Sequence, residues 1–373
     1  MSPLPVIDIS GSPRERGRAH GETLRALVRA RDARWREQIE ANCGMASDRF
    51  IERFLLETLF LPAIQRLTPE LLEETRGIAE GSDLPYEAVL AAQFMDEEWW
   101  WSEPFLGRHH CSGFGALTAD GAIAAQNMDL GVWMDGFQTL LRIEDRARCL
   151  ESYVLTVAGI IGLCGVNSAG FALCVNTLLD LNHRSDGLPV AFVARGALER
   201  RSAAEAAAFL ETVPHASGQN YILADPTAVL DYECSAAGAV RVPYPVANRA
   251  WHTNHSIASG DKDAARATSG WADHGRDSRN RLAAVERRIG DGKARVDPGL
   301  AQATLSSKDD PRDPVSRRKD RGVDKPATGF TFASVIWEVG AHPAAHVAPG
   351  APCSHEFATY EFAKPALRRA VAP

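Results

Sequence analysis

This 373-residue chain lacks several sequence features that would, by themselves, assign it to a class of protein. No uninterrupted apolar run is long enough to span a bilayer, and the N-terminus lacks the charged-then-apolar order of a signal peptide. The seven cysteines include no C-x-x-C pair and are odd in number, which argues against a cysteine-rich zinc site and a disulfide framework. These absences predict a cytoplasmic protein with no membrane partner.

A surplus of positive charge is also missing. The chain has 41 Lys and Arg residues against 48 Asp and Glu residues, a net charge of −7, so no nucleic-acid partner is expected. No Gly-rich phosphate loop and no internal repeat is visible, and we predict no cofactor. What is present is 45% hydrophobic residues, enough for one large core or two modest ones.

The first hundred residues predict successive helices. The sequence SPRE from Ser12 to Glu15 is a capping box with proline at the first helical position. A second helix is expected to begin after Thr68, and a third near Pro85, running towards Trp101. The N-terminal part of the chain is therefore predicted to be helical.

After Gly107 the pattern changes to short strands with turn signals. Two strands flank the hairpin signal Asp120-Gly121, at 111–118 and 122–128. Further strands are predicted at 150–158, 163–166, 171–177, 220–224, 229–234 and 239–243, with a last one near 330–338, and helices at 189–201, 203–213 and 276–289. This order favours an α+β fold over a regularly alternating parallel sheet. The segment 306–326 is dense in charge and proline and predicts a mobile surface loop.

The most informative stretch is HHCSGFGALTADGAIAAQNMDL, which contains Cys111 where the helical part meets the first strand. It resembles the acyl-CoA:isopenicillin N acyltransferase family of N-terminal-nucleophile (Ntn) hydrolases, the C45 peptidase family. The shared pattern is Cys111, the Asp120-Gly121 turn and Asn127-Met128-Asp129. The blocks that also resemble this family are RERGRAHGE (14–22), ETRGIAEGSDL (74–84), GVNSAGFALCVN (165–176) and WHTNH (251–255), so the resemblance covers most of the chain.

The resemblance implies an αββα sandwich of the Ntn-hydrolase type with a helical N-terminal segment. It also implies a chain cut between His110 and Cys111, into an α segment of 1–110 that stays bound and a β segment of 111–373. Two positions depart from related patterns. Related bile-salt and penicillin V hydrolases usually carry Arg where this chain has Gln126, and His110 stands where the family usually has Gly.

The family's chemistry explains why these residue types are needed. After cleavage, Cys111 would carry both the attacking thiol and a free α-amine with an ordinary pKa of roughly 7.7–8.0, so no separate histidine base is required. The resemblance assigns Asp129 to the new amine or to positioning the thiol, although it could instead close a turn. Asn254 matches the oxyanion donor, although its amide could instead satisfy backbone groups, and Asn176 matches another asparagine of the site.

Histidines and tryptophans near these motifs are candidates for binding a metal ion or the substrate. His252 and His255 lie three residues apart at a predicted strand end, so their side chains are expected on opposite faces of the strand. Because the sequence also offers no clear third ligand, we predict no metal site. The substrate-binding candidates are Trp99, Trp100, Trp101, Gln126 and Asn127. Three consecutive tryptophans cannot share one helix face, so one is expected in the core and another at the cleft.

The function predicted from the sequence is hydrolysis of a linear amide in a small N-acylated amino acid or amine, through a thioester acyl-enzyme. Two alternatives stay open. One is an acyl-CoA-dependent N-acyltransferase of the same family, and the other is an uncleaved, non-catalytic binding relative. The expected partners are a small-molecule amide and the two segments of one precursor, and a homo-oligomer is left open.

Overall fold

The computed structural model describes residues 4–102, 111–264, 272–319 and 329–362. The helices of these ranges are α1 (Pro13–Thr23), α2 (Arg25–Cys43), α3 (Ser47–Glu57), α4 (Phe60–Leu67), α5 (Pro69–Ser82), α6 (Tyr86–Ala92), α7 (Glu98–Trp101), α8 (Val190–Leu198), α9 (Ala203–Thr212), α10 (Ala272–Ile289) and α11 (Pro298–Leu305). In the described part of the chain, no helix combines the length and apolarity that crossing a membrane requires.

The strands form two separate sheets. Their bounds are β1 (Val6–Ser10), β2 (Ser112–Thr118), β3 (Gly121–Gly131), β4 (Gln138–Asp145), β5 (Leu150–Val157), β6 (Cys164–Asn167), β7 (Phe171–Thr177), β8 (Gln219–Ala224), β9 (Val229–Ser235), β10 (Gly238–Arg241), β11 (Arg249–His252), β12 (Gly329–Gly340), β13 (Ala344–Ala348) and β14 (Ala358–Glu361). The first sheet has the order β1-β4-β5-β6-β7-β8-β9-β10, and the second has the order β11-β2-β3-β12-β13-β14. Strand β1 pairs with β4 in parallel, and the other pairs are antiparallel.

The two sheets pack face to face, and helices cover their outer faces. Strands β2 and β3 lie against β7 and β8, which buries the larger hydrophobic core between the sheets. Helices α8 and α9 pack on the first sheet, and α10 and α11 pack on the second over a smaller apolar cluster. The predicted α+β class and αββα sandwich are confirmed.

Helices α1 and α5 approach each other closely because both carry glycines at the contact. A Cβ added to Gly17 would lie 1.9 Å from the carbonyl oxygen of Glu74, and one added to Gly77 would lie 2.2 Å from that of Arg14. No larger side chain fits without moving a helix. The blocks RERGRAHGE and ETRGIAEGSDL are therefore the two sides of one helix pair.

The predicted elements are recovered with three corrections. The capping box is confirmed, since the Ser12 amide donates to Glu15 Oε2 at 2.7 Å. The helix predicted from Pro85 towards Trp101 is broken between α6 and α7, because the Asp96 and Glu97 side chains turn inward to partners on the β segment. Strand β12 is not the last, as β13 and β14 follow it.

The third correction concerns the segment 306–326, which was predicted to be a mobile surface loop. Residues 320–326 lie outside the described residues, but Val315 and Arg317 are buried. The Val315 carbonyl accepts a hydrogen bond from Asn127 at 2.9 Å, and the backbones of Arg317 and Thr331 are joined at 2.9 Å. The segment was predicted to be a surface loop because it is rich in charged residues. That prediction was wrong for Arg317, whose charge is balanced inside the protein.

The hairpin that begins the β segment forms as predicted. Ser112 pairs with Asn127 and Thr118 with Gly121, so the strands β2 and β3 turn at Asp120-Gly121. Gly121 has a φ of +146°, and a Cβ there would lie 2.0 Å from the Val339 carbonyl oxygen. The turn therefore requires glycine, and the hairpin places the start of β2 beside the end of β3.

Candidate active site

Cys111 lies immediately before β2, on the side of the second sheet that faces the first. Its side chain is 4% exposed, and its Sγ lies 3.8 Å from the carbonyl oxygen of Asp129 on β3. His110, the other half of the predicted cleavage point, lies outside the described residues. The structure thus places the predicted nucleophile beside the predicted aspartate.

The surroundings of Cys111 disfavour its thiolate. Burial, together with the nearby negative charge of Asp129, raises the pKa of the Cys111 thiol to about 12. With its amino side still in a peptide bond, this thiol is protonated at neutral pH. Attack by its sulfur therefore requires a group that removes the proton.

Arg281 on α10 joins Cys111 to the predicted oxyanion donor. Its guanidinium is fully buried and donates to the Cys111 carbonyl oxygen at 2.5 Å, to Ser112 Oγ at 2.9 Å and to Asn254 Oδ1 at 2.9 Å. Asp277, one turn earlier on the helix, accepts from Arg281 Nε at 3.1 Å. The carbonyl side of Cys111 is therefore fixed by a buried cation.

Sequence reasoning missed Arg281, although the sequence contains a signal for it. Asp277, Arg281, Val285 and Ile289 recur every four residues on the predicted helix 276–289, so the two charged residues share the face of the two apolar ones. Both charged side chains are buried on that face. A charged residue in an apolar stripe indicates a buried partner, and here the partners belong to the site.

Arg317 is the second arginine that the sequence reasoning missed. Its Nε lies 3.4 Å from Asp129 Oδ2, and its Nη2 donates to Asp277 Oδ1. Arg317 and Arg281 therefore share Asp277, while Arg317 also contacts the carboxylate of Asp129. This alternation of buried positive and negative groups makes the charges of the site compatible with burial.

Asn254 lies at the end of the same network. Its Nδ2 donates to the Thr177 carbonyl oxygen at 3.0 Å, and its backbone amide donates to Ser278 Oγ at 2.8 Å. A carboxamide nitrogen carries two hydrogens, so a second hydrogen is left to donate to an oxyanion. The Thr177 hydroxyl donates to Asp96 at 2.8 Å, which brings the α segment to the edge of the site.

Asn176 and Gln126 lie together in the layer between the sheets. Gln126 Nε2 donates to the Val175 carbonyl and to Asn176 Oδ1, the latter at 3.3 Å, and Asn176 Nδ2 donates to Asn220 Oδ1 at 2.9 Å. A Cβ added to Gly113 on β2 would lie 3.2 Å from Asn176 Nδ2. The pair is thus near the strand that follows Cys111.

The neighbouring Asn127 points to the opposite face of the sheet. Its Nδ2 donates to the carbonyl oxygens of Leu305 and Val315 at 2.8 and 2.9 Å, and its Oδ1 accepts from Ser334 Oγ at 2.7 Å. Successive residues of a strand face opposite sides, which separates Asn127 from Gln126. Asn127 therefore holds the end of α11 and the segment containing Val315 against the sheet.

The three tryptophans lie in two places. Trp99 and Trp100 are buried with Leu179, two residues beyond Thr177, whereas Trp101 packs against Phe50 and Phe54 at centroid distances of 5.0 and 5.1 Å. The first two are therefore near the segment that contacts Asn254. Trp101 packs in the helical segment.

The two histidines of the WHTNH block have different partners. His252 Nε2 lies 2.9 Å from Glu233 Oε1, and His255 Nδ1 lies 2.7 Å from Ser278 Oγ. In the ranges that the structure describes, no group of three or more His, Cys, Asp and Glu side chains is arranged to hold a metal ion.

The two face-to-face sheets with helices on their outer faces define the class: an αββα protein of the Ntn type. Residues 118–339, more than half of the chain, match the family model described as acyl-coenzyme A:6-aminopenicillanic acid acyl-transferase. The chain belongs to this family, which confirms the resemblance seen in its motifs.

Two solved structures are similar to the chain. One is penicillin V acylase from Agrobacterium tumefaciens, with 15% identity over 68% of this chain and 86% of that chain and a TM-score of 0.42. The other is a variant of conjugated bile acid hydrolase from Clostridium perfringens, with 11% identity over 70% of this chain and 100% of that chain and a TM-score of 0.41.

We expect Arg281→Met to lower the free energy of unfolding by about 3 kcal/mol, because removing one member of a buried charged network leaves its partners desolvated and unsatisfied. Urea denaturation followed by circular dichroism measures this. Arg279→Met on the same helix is the matched control, since Arg279 is exposed, and should stay within about 0.5 kcal/mol of the wild type. Equal losses in the two variants would contradict a special role for Arg281.

Proposed function

We propose that this chain cuts itself before Cys111 and then hydrolyses the linear amide of a small N-acylated amino acid or amine through a thioester. The observation that carries the proposal is the placement of Cys111. Its thiol faces the inside of the sandwich 3.8 Å from the Asp129 carbonyl oxygen, while Arg281 holds its own carbonyl. Because its carbonyl group is held in place, Cys111 can keep its position when the peptide bond on its amino side is cut.

The α-amine released by such a cut supplies the base that the site needs. Burial and the Asp129 carboxylate raise the pKa of the Cys111 thiol to about 12 in the uncut chain. A free α-amine has an ordinary pKa of roughly 7.7–8.0 and accepts a proton near neutral pH, whereas an amide nitrogen does not. Cleavage would therefore convert an inert cysteine into a nucleophile with its own base.

The catalytic cycle follows from these groups. The Sγ proton passes to the α-amine as the sulfur attacks the amide carbon, and the second Nδ2 hydrogen of Asn254 stabilises the oxyanion. The intermediate expels the substrate's amine, which takes the proton from the ammonium, and a thioester remains. Water then attacks the thioester, gives a proton to the α-amine, and the acid is released as the thiol re-forms.

A related attack on the chain itself would break the bond between His110 and Cys111. Sγ attacks the His110 carbonyl carbon, and the thiol proton passes to the peptide nitrogen, which leaves as the α-amine of Cys111. Water then hydrolyses the resulting thioester and releases the thiol. Asp129 would then accept a hydrogen bond from the new amine or position the thiol.

Buried contacts support the retention of the α segment after the cut. Glu74 on α5 accepts from Arg195 Nη1 on α8 at 2.8 Å, and both side chains are almost fully buried. Strand β1 adds a parallel pair to β4 of the β segment. Separating the segments would take the buried Arg195 away from its carboxylate partner and expose a sheet edge.

The acyl-CoA-dependent transferase is the second candidate, and the description of the matching family favours it. We expect the cleaved protein to release free acid and amine from a panel of N-acyl glycines and N-acyl amines without acyl-CoA, with products followed by mass spectrometry. Cys111→Ala should abolish this release, and Cys149→Ala, which removes an exposed cysteine, should not. Product that forms only when acyl-CoA and an acceptor amine are both present would overturn the hydrolase in favour of the transferase.

We expect Asn254→Ala to lower kcat by about 100–1000-fold and to change KM much less, because an oxyanion donor acts mainly in the transition state. Steady-state kinetics on the best amide of the panel measures this, with circular dichroism to verify folding. Asn42→Ala, which removes an exposed asparagine of α2, is the matched control. A normal kcat in Asn254→Ala would remove Asn254 from the oxyanion site.

A further inference from the structure

The turn between α6 and α7 reaches from the α segment into the β segment. Three polar side chains of this turn, those of Gln93, Asp96 and Glu97, are buried. Gln93 Nε2 donates to the Gly159 carbonyl oxygen at 2.8 Å, and Gln93 Oε1 accepts from the Ile161 backbone amide at 2.9 Å. Because both polar atoms of this carboxamide bond to the β segment, the start of the turn is held against it.

Glu97 holds the same turn at a second place. Its Oε1 accepts from the Val190 backbone amide at 2.9 Å and from Ser217 Oγ at 2.6 Å. Asp96 lies between Gln93 and Glu97 in the chain, so its backbone is fixed by contacts that its own side chain does not make. A side chain on a backbone that is fixed in this way can position its partners.

The Asp96 carboxylate bridges the ends of two paired strands. Its Oδ2 accepts from Thr177 Oγ1 at 2.8 Å and from Gln219 Nε2 at 2.9 Å. Thr177 is the last residue of β7, Gln219 is the first of β8, and the two are paired directly in the sheet. The bridge is buried, which strengthens hydrogen bonds to a carboxylate.

Thr177 carries this constraint to Asn254. The Thr177 carbonyl oxygen accepts one hydrogen of Asn254 Nδ2 at 3.0 Å, while Arg281 Nη2 donates to Asn254 Oδ1 at 2.9 Å. These two hydrogen bonds fix the plane of the carboxamide, and with it the direction of the second Nδ2 hydrogen. Thr177 and Arg281 therefore aim the amide from its two ends.

Asp96 is also close enough to Cys111 to act on its charge. Burial is the main cause that raises the pKa of the Cys111 thiol to about 12, and the negative charges of Asp129 and Asp96 add to the rise. Removing the Asp96 charge would therefore favour ionisation of the thiol. This effect alone would not slow the attack of the sulfur.

We propose that Asp96 is a positioning residue of the oxyanion site, which aims the amide of Asn254 through Thr177. The α segment then completes a site whose nucleophile and oxyanion donor both lie on the β segment. The inference rests on the proposed role of Asn254 in amide hydrolysis. It gives the retained α segment a part in turnover as well as in stability.

We expect Asp96→Ala to lower kcat about tenfold and to change KM little, because a misdirected donor weakens stabilisation of the transition state. Asp96→Asn should keep a nearly normal kcat, because an amide oxygen in the place of Oδ2 still accepts both hydrogen bonds. Steady-state kinetics on the best amide of the panel measures both variants, with activity expressed per cleaved chain as determined by intact mass.

A second arm distinguishes positioning from a general loosening of the fold. In the background of Asn254→Ala, Asp96→Ala should cause no further loss of kcat, since the donor through which Asp96 acts is gone. Thr177→Val removes the hydroxyl and keeps the carbonyl, so it should reproduce the loss seen in Asp96→Ala. It tests the same hydrogen bond if Asp96→Ala does not fold.

Glu98→Ala is the matched control, because Glu98 is a buried carboxylate that accepts from Trp35 Nε1 at 2.9 Å within the α segment. It should leave kcat unchanged, and a loss equal to that of Asp96→Ala would overturn the inference. So would a normal kcat in Thr177→Val, a loss in Asp96→Asn equal to that in Asp96→Ala, or a further loss in the Asn254→Ala background. These outcomes leave amide hydrolysis intact, whereas a wild type that hydrolyses no amide of the panel would overturn the proposed function as well.

Discussion

The buried guanidinium of Arg281 is the interaction on which the candidate site depends. It donates to the Cys111 carbonyl, to Ser112 and to Asn254, and so ties the start of β2 to the segment after β11. An isolated cation at this depth would be strongly unfavourable, and Asp277 makes it tolerable. Helix α10, which carries both residues, therefore does more than cover the second sheet: it fixes Cys111 and Asn254 relative to one another.

The buried charges of the site continue from this point in alternating sign. Arg281 contacts Asp277, Asp277 contacts Arg317, and Arg317 contacts Asp129 beside the cysteine. A change in charge at either end is consequently felt at Cys111, whose thiol pKa the Asp129 carboxylate already helps to raise.

The sequence predicted those parts of the fold and site that depend on local pattern or on the family motif. The turn at Asp120-Gly121 and the capping box at Ser12 needed only neighbouring residues, and the motif residues Cys111 and Asp129 do lie together. Arg317 could not be found in this way, because its burial depends on carboxylates far away in the sequence. The same holds for the break between α6 and α7, where tertiary partners override helix propensity.

Self-cleavage is the central claim, since without it Cys111 has no α-amine. The most direct measurement is the intact mass of the freshly purified wild type under denaturing conditions, beside that of Cys111→Ala. We predict two chains in the wild type, 1–110 and 111–373, the second beginning with a free amine on Cys111, and a single chain in Cys111→Ala. A wild type that stays a single chain of 373 residues and still hydrolyses amides would contradict it.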